Sequence, residues 1–257
     1  MSMIRFILKK AAPMERIEHY QRFLFIGPHP DDIELGAGAT AAKLAASGKT
    51  VRFLIVTDGR FGLENAPKGT TCQQLVVIRK KETIAASAAL GITDVVFLDF
   101  SDGGQYEKKQ VLNSLAKAVG EFQPDVILAP DPDVRSECHK DHLVTGQAAK
   151  EIAFFSAFPQ IAQCYGAKSA DVKAIAFFMT ARPNQYIRTG RFLGRQLDAL
   201  FSNHLSQFPP SSSEAKAFPT YLRLRSFFFG IRRFCLHAEG FRVLDRMHMH
   251  CLPETDN

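Results

Sequence analysis

The chain has 257 residues, 46% of them hydrophobic and 23% charged, and a formal net charge of +6. That length supports one sizeable core, and the composition excludes a disordered or fibrous chain. The longest apolar runs are only about four to six residues against the ~20 that span a bilayer, and the N-terminus lacks the apolar stretch and small-residue cleavage site of a secretion signal. In chain order, residues 22–26 (RFLFI) read as a buried strand ended by Gly27-Pro28, and the Ala-rich stretch 35–47 reads as a helix with Gly48 as its C-terminal stop. Residues 51–57 (VRFLIVT) form the second strand, 73–90 a helix, and 94–98 (DVVFL) the third strand. A helix over 107–122 is stopped by Pro124, and 125–129 (DVILA) is the fourth strand. Then come a helix over 142–155, a strand over 172–179, a helix over 193–205, a Pro/Ser loop, a further helix and a last strand over 240–244.

Near-continuous apolar strands alternating with helices indicate an α/β, Rossmann-like fold: a mostly parallel sheet with helices on both faces. No linker divides the chain, so residues 22–257 are expected to form a single domain, preceded by an N-terminal extension over 1–21. Five cysteines (Cys72, Cys138, Cys164, Cys235 and Cys251) are odd in number and never spaced C-x-x-C. That favours a reducing cytoplasm and disfavours a disulfide framework or a four-cysteine zinc site.

Ligands in such sheets sit beyond the carboxyl ends of the strands, and two polar clusters fall there. Pro28-His29-Pro30-Asp31-Asp32 follows the first strand, and His139-Lys140-Asp141-His142 follows the fourth, where a helix begins. Each carboxylate has a plain structural reading as a helix N-cap, but that reading leaves the coincidence of two clusters at strand ends unexplained. A catalytic zinc takes three N/O protein ligands and keeps one position open for water. His29, Asp32 and His142 would supply two imidazoles and a carboxylate, leaving Asp31, His139 and Asp141 for catalysis. Fe²⁺ is admitted by the same ligand count, whereas Mg²⁺ and Ca²⁺ prefer oxygen shells. Metal, base and imidazole together suit hydrolysis of an amide or ester.

These motifs resemble those of the PIG-L/LmbE-like family of zinc-dependent N-deacetylases, typified by N-acetylglucosaminyl-phosphatidylinositol deacetylase. Pro28–Asp32 with Gly36-Ala37-Gly38 matches the family's opening motif, and His139–His142 matches its H-x-D-H. Weaker matches run in the same order: Thr57-Asp58-Gly59, Arg79-Lys80-Lys81-Glu82, residues 98–103 (LDFSDG), His204-Leu205-Ser206-Gln207 and Ala238-Glu239-Gly240-Phe241. The match spans roughly residues 22–245. The resemblance implies zinc on His29, Asp32 and His142, Asp31 as the general base, His139 polarising the acetyl carbonyl or protonating the amine, and Asp141 orienting an imidazole. It also implies Arg79 and Asp102 as contacts to the sugar or its aglycone, and a small N-acetyl sugar conjugate as the substrate. Arg60 stands where many members carry Glu after T-D-G.

Alternatives come from other classes. Gly36-x-Gly38-x-x-Ala41 fits a dinucleotide fingerprint, but nine residues separate it from the first strand, so close packing of a helix is the simpler explanation. From residue 181 onward there are eleven Lys and Arg against six Asp and Glu. Between Glu214 and Glu239 there is no acid, and Arg223, Arg225, Arg232 and Arg233 are interleaved with Phe227, Phe228, Phe229 and Phe234. This segment reads either as a surface for anionic lipid or nucleic acid, or as an amphipathic helix burying Phe and exposing Arg, the commoner arrangement. With two metal motifs present, no nucleic-acid partner is expected; a peripheral membrane contact stays open. His248-Met249-His250-Cys251 reads as a disordered tail.

Overall fold

The structure, a computed structural model, describes residue 7 and residues 10–252. Residues 1–6 and 8–9, the outer part of the expected extension, and 253–257 lie outside the described residues. The ordered elements are β1 (Arg22–Gly27), α1 (Asp32–Ala46), β2 (Thr50–Thr57), α2 (Cys72–Ala89), β3 (Val95–Phe100), α3 (Lys108–Phe122) and β4 (Val126–Pro130). They continue with α4 (Lys140–Phe155), α5 (Pro159–Cys164), β5 (Ala174–Phe178), β6 (Gln185–Arg188), α6 (Phe192–Asn203), α7 (Ser213–Ile231) and β7 (Ala238–Asp245).

All seven strands join one sheet in the order β3-β2-β1-β4-β5-β7-β6. β1 through β5 pair in parallel, while β7 runs antiparallel to β5 and β6. The α/β fold with helices on both faces is therefore the one the apolar alternation predicts. Side chains alternate across the sheet with period two. Phe23, Phe25, Val126 and Leu128 face α1, α2 and α6 through Ala37, Ala41, Ala86 and Ala199. Leu24, Ile26, Ile127 and Ala129 face α3 and α4 through Leu115, Val119, Ala148 and Ile152. Gly36 lets α1 approach the sheet, because a Cβ there would lie 2.3 Å from the Phe178 ring. That is the packing role expected of the glycines.

The chain leaves β1 in one direction to build β2 and β3, and in the other to build β5 beside β4. The reversal between β1 and β4 opens a crevice at their carboxyl ends, where both polar clusters lie.

Four features differ from the sequence reading. α1 begins at Asp32 and α4 at Lys140, so Asp32, Asp141 and His142 sit in first helical turns. The short edge strand β6 and helix α5 carry too few residues to show a period. And α7 turns Phe227 and Phe228 outward, 42% and 62% exposed, while Leu222, Ser226 and Gly230 face inward. The inward side is small because the returning chain closes it: a Cβ on Gly230 would lie 2.4 Å from the Cys235 carbonyl oxygen. The His248–Cys251 stretch is packed rather than loose, with His248 Nδ1 2.6 Å from Asp245 Oδ1 and His250 against the Phe154 ring. Among the described residues, no helix is long and apolar enough to cross a membrane.

Candidate active site

The loop after β1 is held from two sides. Thr57 donates through its backbone N–H and its hydroxyl to the Pro28 carbonyl, at 2.9 and 2.8 Å. The His29 N–H donates to Asp32 Oδ2 at 2.8 Å, folding the Asp32 carboxylate back over His29. Asp31, between them, has φ 111°. A non-glycine residue at positive φ stores strain, and such strain persists where the surroundings over-determine it.

The two clusters meet. Asp32 Oδ2 lies 3.1 Å from His29 Nδ1 and 3.3 Å from His142 Nε2. Donor atoms of a tetrahedral zinc site with bonds near 2.0–2.1 Å are spaced at about 3.3 Å, so the distances from Asp32 to both imidazoles suit neighbouring ligands of one ion. The nitrogens of His29, His139 and His142 also lie within 4.8 Å of one another. All of these groups are buried or half-buried except His139, whose side chain is 49% exposed.

The other nitrogen of His29, Nε2, lies 3.0 Å from Asp141 Oδ2. Asp141 is fully buried. Gly103 and Gly104, both at positive φ, point successive N–H groups at its two oxygens at 2.7 Å each, and the Tyr106 hydroxyl donates to Oδ1 at 2.7 Å. Burial pushes the Asp141 carboxyl up, but the hydrogen bonds from His29 and Tyr106 win and hold it well below the usual carboxylate range. Burial likewise disfavours a charged His29, yet its bonds to Asp141 and Asp32 push its pKa up to about 10. His139 goes the other way, lowered by burial and by the neighbouring His29 and His142. Its Nδ1 accepts the Asp141 N–H at 3.3 Å, capping α4 and leaving Nε2 as the nitrogen that carries the proton.

Asp31 is raised to about 6 by burial, against the opposing pull of Arg79. Arg79 is buried, and its guanidinium donates to Asp31 Oδ2 at 2.9 Å, the Pro30 carbonyl at 2.6 Å and the Gly59 carbonyl at 3.2 Å. Asp102, next to the Gly103 that holds Asp141, accepts the Phe61 N–H, and burial raises its carboxyl. Arg60 pairs with the buried Asp58 through two of its guanidinium nitrogens.

The family follows from the chain itself. Residues 24–153, just over half of it, match the family described as PIG-L: GlcNAc-PI de-N-acetylase. The chain belongs to the PIG-L family. It is similar to diacetylchitobiose deacetylase of Thermococcus kodakarensis, 28% identical over 242 residues, which cover 93% of this chain and 89% of that protein. A 1D-myo-inositol 2-acetamido-2-deoxy-alpha-D-glucopyranoside deacetylase of Kineococcus radiotolerans is 33% identical over 127 residues, 48% of this chain and 35% of that one. Among solved structures, N,N'-diacetylchitobiose deacetylase from Pyrococcus horikoshii, complexed with its inhibitor, superposes with a TM-score of 0.87 at 28% identity, covering 98% and 96% of the two chains.

In this PIG-L chain several site residues carry no sequence signal of their own. Tyr106 is one. The Gly103-Gly104 pair reads as a turn and becomes a carboxylate cradle. The weak motifs prove to be bracing: Ser206 donates to Glu82 through its N–H and hydroxyl at 2.7 and 2.6 Å, and Gln207 donates to the Gly62 carbonyl at 2.9 Å. His204 and Glu34, both fully buried, meet at 3.4 Å. Glu239 accepts the N–H groups of Ala39 and Thr40 inside α1.

Proposed function

We propose that this protein is a metal-dependent hydrolase that removes the acetyl group from an N-acetylated amino sugar or its conjugate. The observation that carries the reading is the convergence of His29 Nδ1 and His142 Nε2 on Asp32 Oδ2, on a PIG-L fold. His29, Asp32 and His142 would hold the ion. His139 offers a third nitrogen nearby, but its exposure and its engaged Nδ1 favour a role in polarising the acetyl carbonyl through Nε2–H. Zinc and iron(II) both suit two imidazoles and a carboxylate, and when bound such an ion supplies Lewis acidity to water and to the acetyl carbonyl.

The chain's own groups do the rest. Asp31, ionised above about pH 6, accepts a proton from the attacking water. Arg79 is a positioning residue that holds the Asp31 carboxylate at 2.9 Å and so fixes the base. Asp31 then passes that proton to the departing amine as the C–N bond breaks, leaving acetate and a free amino sugar, while the His139 Nε2–H donates a hydrogen bond to the acetyl oxygen. Asp141 orients His29 through Nε2, the carboxylate–histidine arrangement that fixes a ligand's tautomer. Asp102, beside the Gly103–Asp141 contact, hydrogen-bonds the sugar. The names of the relatives favour glucosamine saccharides and their glycosides as substrates.

The test is amine release from a panel of N-acetylglucosamine conjugates, including N,N'-diacetylchitobiose, by zinc-loaded protein. Asp31→Asn should retain metal and lose ~10²–10⁴ in kcat. Activity of the variant within a few-fold of wild type would move the base elsewhere.

A further inference from the structure

We propose that the outward face of α7 is a docking surface for an anionic lipid membrane. Among the described residues, half of the exposed large hydrophobic side chains fall within residues 221–236. Tyr221, Leu224, Phe228 and Ile231 recur at spacings of three and four, one stripe along the helix, with Phe227 beside it. The core-facing positions Leu222, Ser226 and Gly230 lie about half a turn away. The helix therefore packs through a side of small residues and leaves an apolar stripe on the other side unused by the fold. Phe234, just past its end, is 95% exposed and extends that stripe.

Charge identifies the occupant. Lys216 and Arg223, both exposed, border one margin of the stripe; Arg232, exposed, and Arg225, over the Phe229 ring, border the other. No acidic residue lies between Glu214 and Glu239, and Glu239 is buried. An apolar stripe with basic residues on both margins matches a helix lying in a lipid interface, with rings in the acyl boundary and guanidinium groups at anionic headgroups. Pairing of this face with its own copy would set Arg against Arg. Nucleic acid would leave Leu224 and Ile231 without a favourable contact.

The experiment is co-sedimentation of the full chain with vesicles of phosphatidylcholine alone and of equimolar phosphatidylcholine and phosphatidylglycerol, at physiological salt. Wild type should bind the anionic vesicles and leave the neutral ones. Arg223→Gln with Arg232→Gln should weaken binding by about fivefold per residue, the usual worth of one basic group near an anionic leaflet. Phe228→Ser with Ile231→Ser should abolish it. Both variants should deacetylate a soluble sugar as wild type does, which shows that they fold. No binding by wild type, or equal binding by the variants, overturns the proposal. So does sedimentation velocity in which Phe228→Ser with Ile231→Ser splits an oligomer while vesicles leave wild type in solution; the face would then be a contact between copies.

Discussion

Asp141→Asn is the substitution that loads the most onto one atom. The carboxylate is fully buried and accepts from four groups: His29 Nε2 at 3.0 Å, and the N–H groups of Gly103 and Gly104 and the Tyr106 hydroxyl at 2.7 Å. An amide keeps one oxygen and turns an NH₂ toward donors, so at least two of the four lose their acceptor. At ~1–3 kcal/mol for each buried donor left without a partner, the cost is about 2–6 kcal/mol. A chain of this size shifts by roughly 2–4 °C per kcal/mol, so thermal unfolding of the metal-free variant should fall by about 4 °C or more. The loss depends on pH. The folded-state pKa lies below the unfolded value of about 3.9, so the carboxylate stabilises above that pH and its contribution disappears as pH falls toward the folded value. Wild type and variant should therefore begin to converge below about pH 4. Zinc affinity should fall ~10–100-fold, as when an outer carboxylate that orients a ligand is removed. Calorimetric unfolding from pH 3 to pH 8, with a competition titration for zinc, reads both effects. An unchanged unfolding temperature and unchanged zinc affinity would refute the assignment of Asp141 as the group that orients His29.

His139→Ala should keep metal while lowering kcat, because the proposed ligand set does not include it; loss of zinc by elemental analysis would instead make it a ligand. Arg79→Met removes the cation that opposes the upward push on Asp31, so the acid limb of kcat/KM should move to higher pH, the base being active only when ionised. An unmoved limb would mean that the limb reports another group.

Six of the seven strands among the described residues were legible because each is a short apolar run, and the two clusters were legible because they fall where such strands end. What could not be read were contacts between distant segments. Tyr106 reaches Asp141 across 35 positions, and Arg79 reaches Asp31 across 48. Asp141 reads as an ordinary helix N-terminal acid until the glycine cradle is folded around it. The outward rings of α7 escaped because alternating Arg and Phe give the same pattern whichever apolar side meets the core. Only the return of the chain at Cys235 and Leu236 shows that the small side is the inner one.

In the proposed function, one ion on His29, Asp32 and His142 makes this chain a deacetylase. The most direct measurement is acetate release from N,N'-diacetylchitobiose as zinc is added stepwise to metal-free protein. Release should rise with added zinc and level at one equivalent per chain, and His142→Ala should release none at any zinc level. Full activity in the metal-free protein, or acetate release by His142→Ala equal to that of wild type, would contradict that reading.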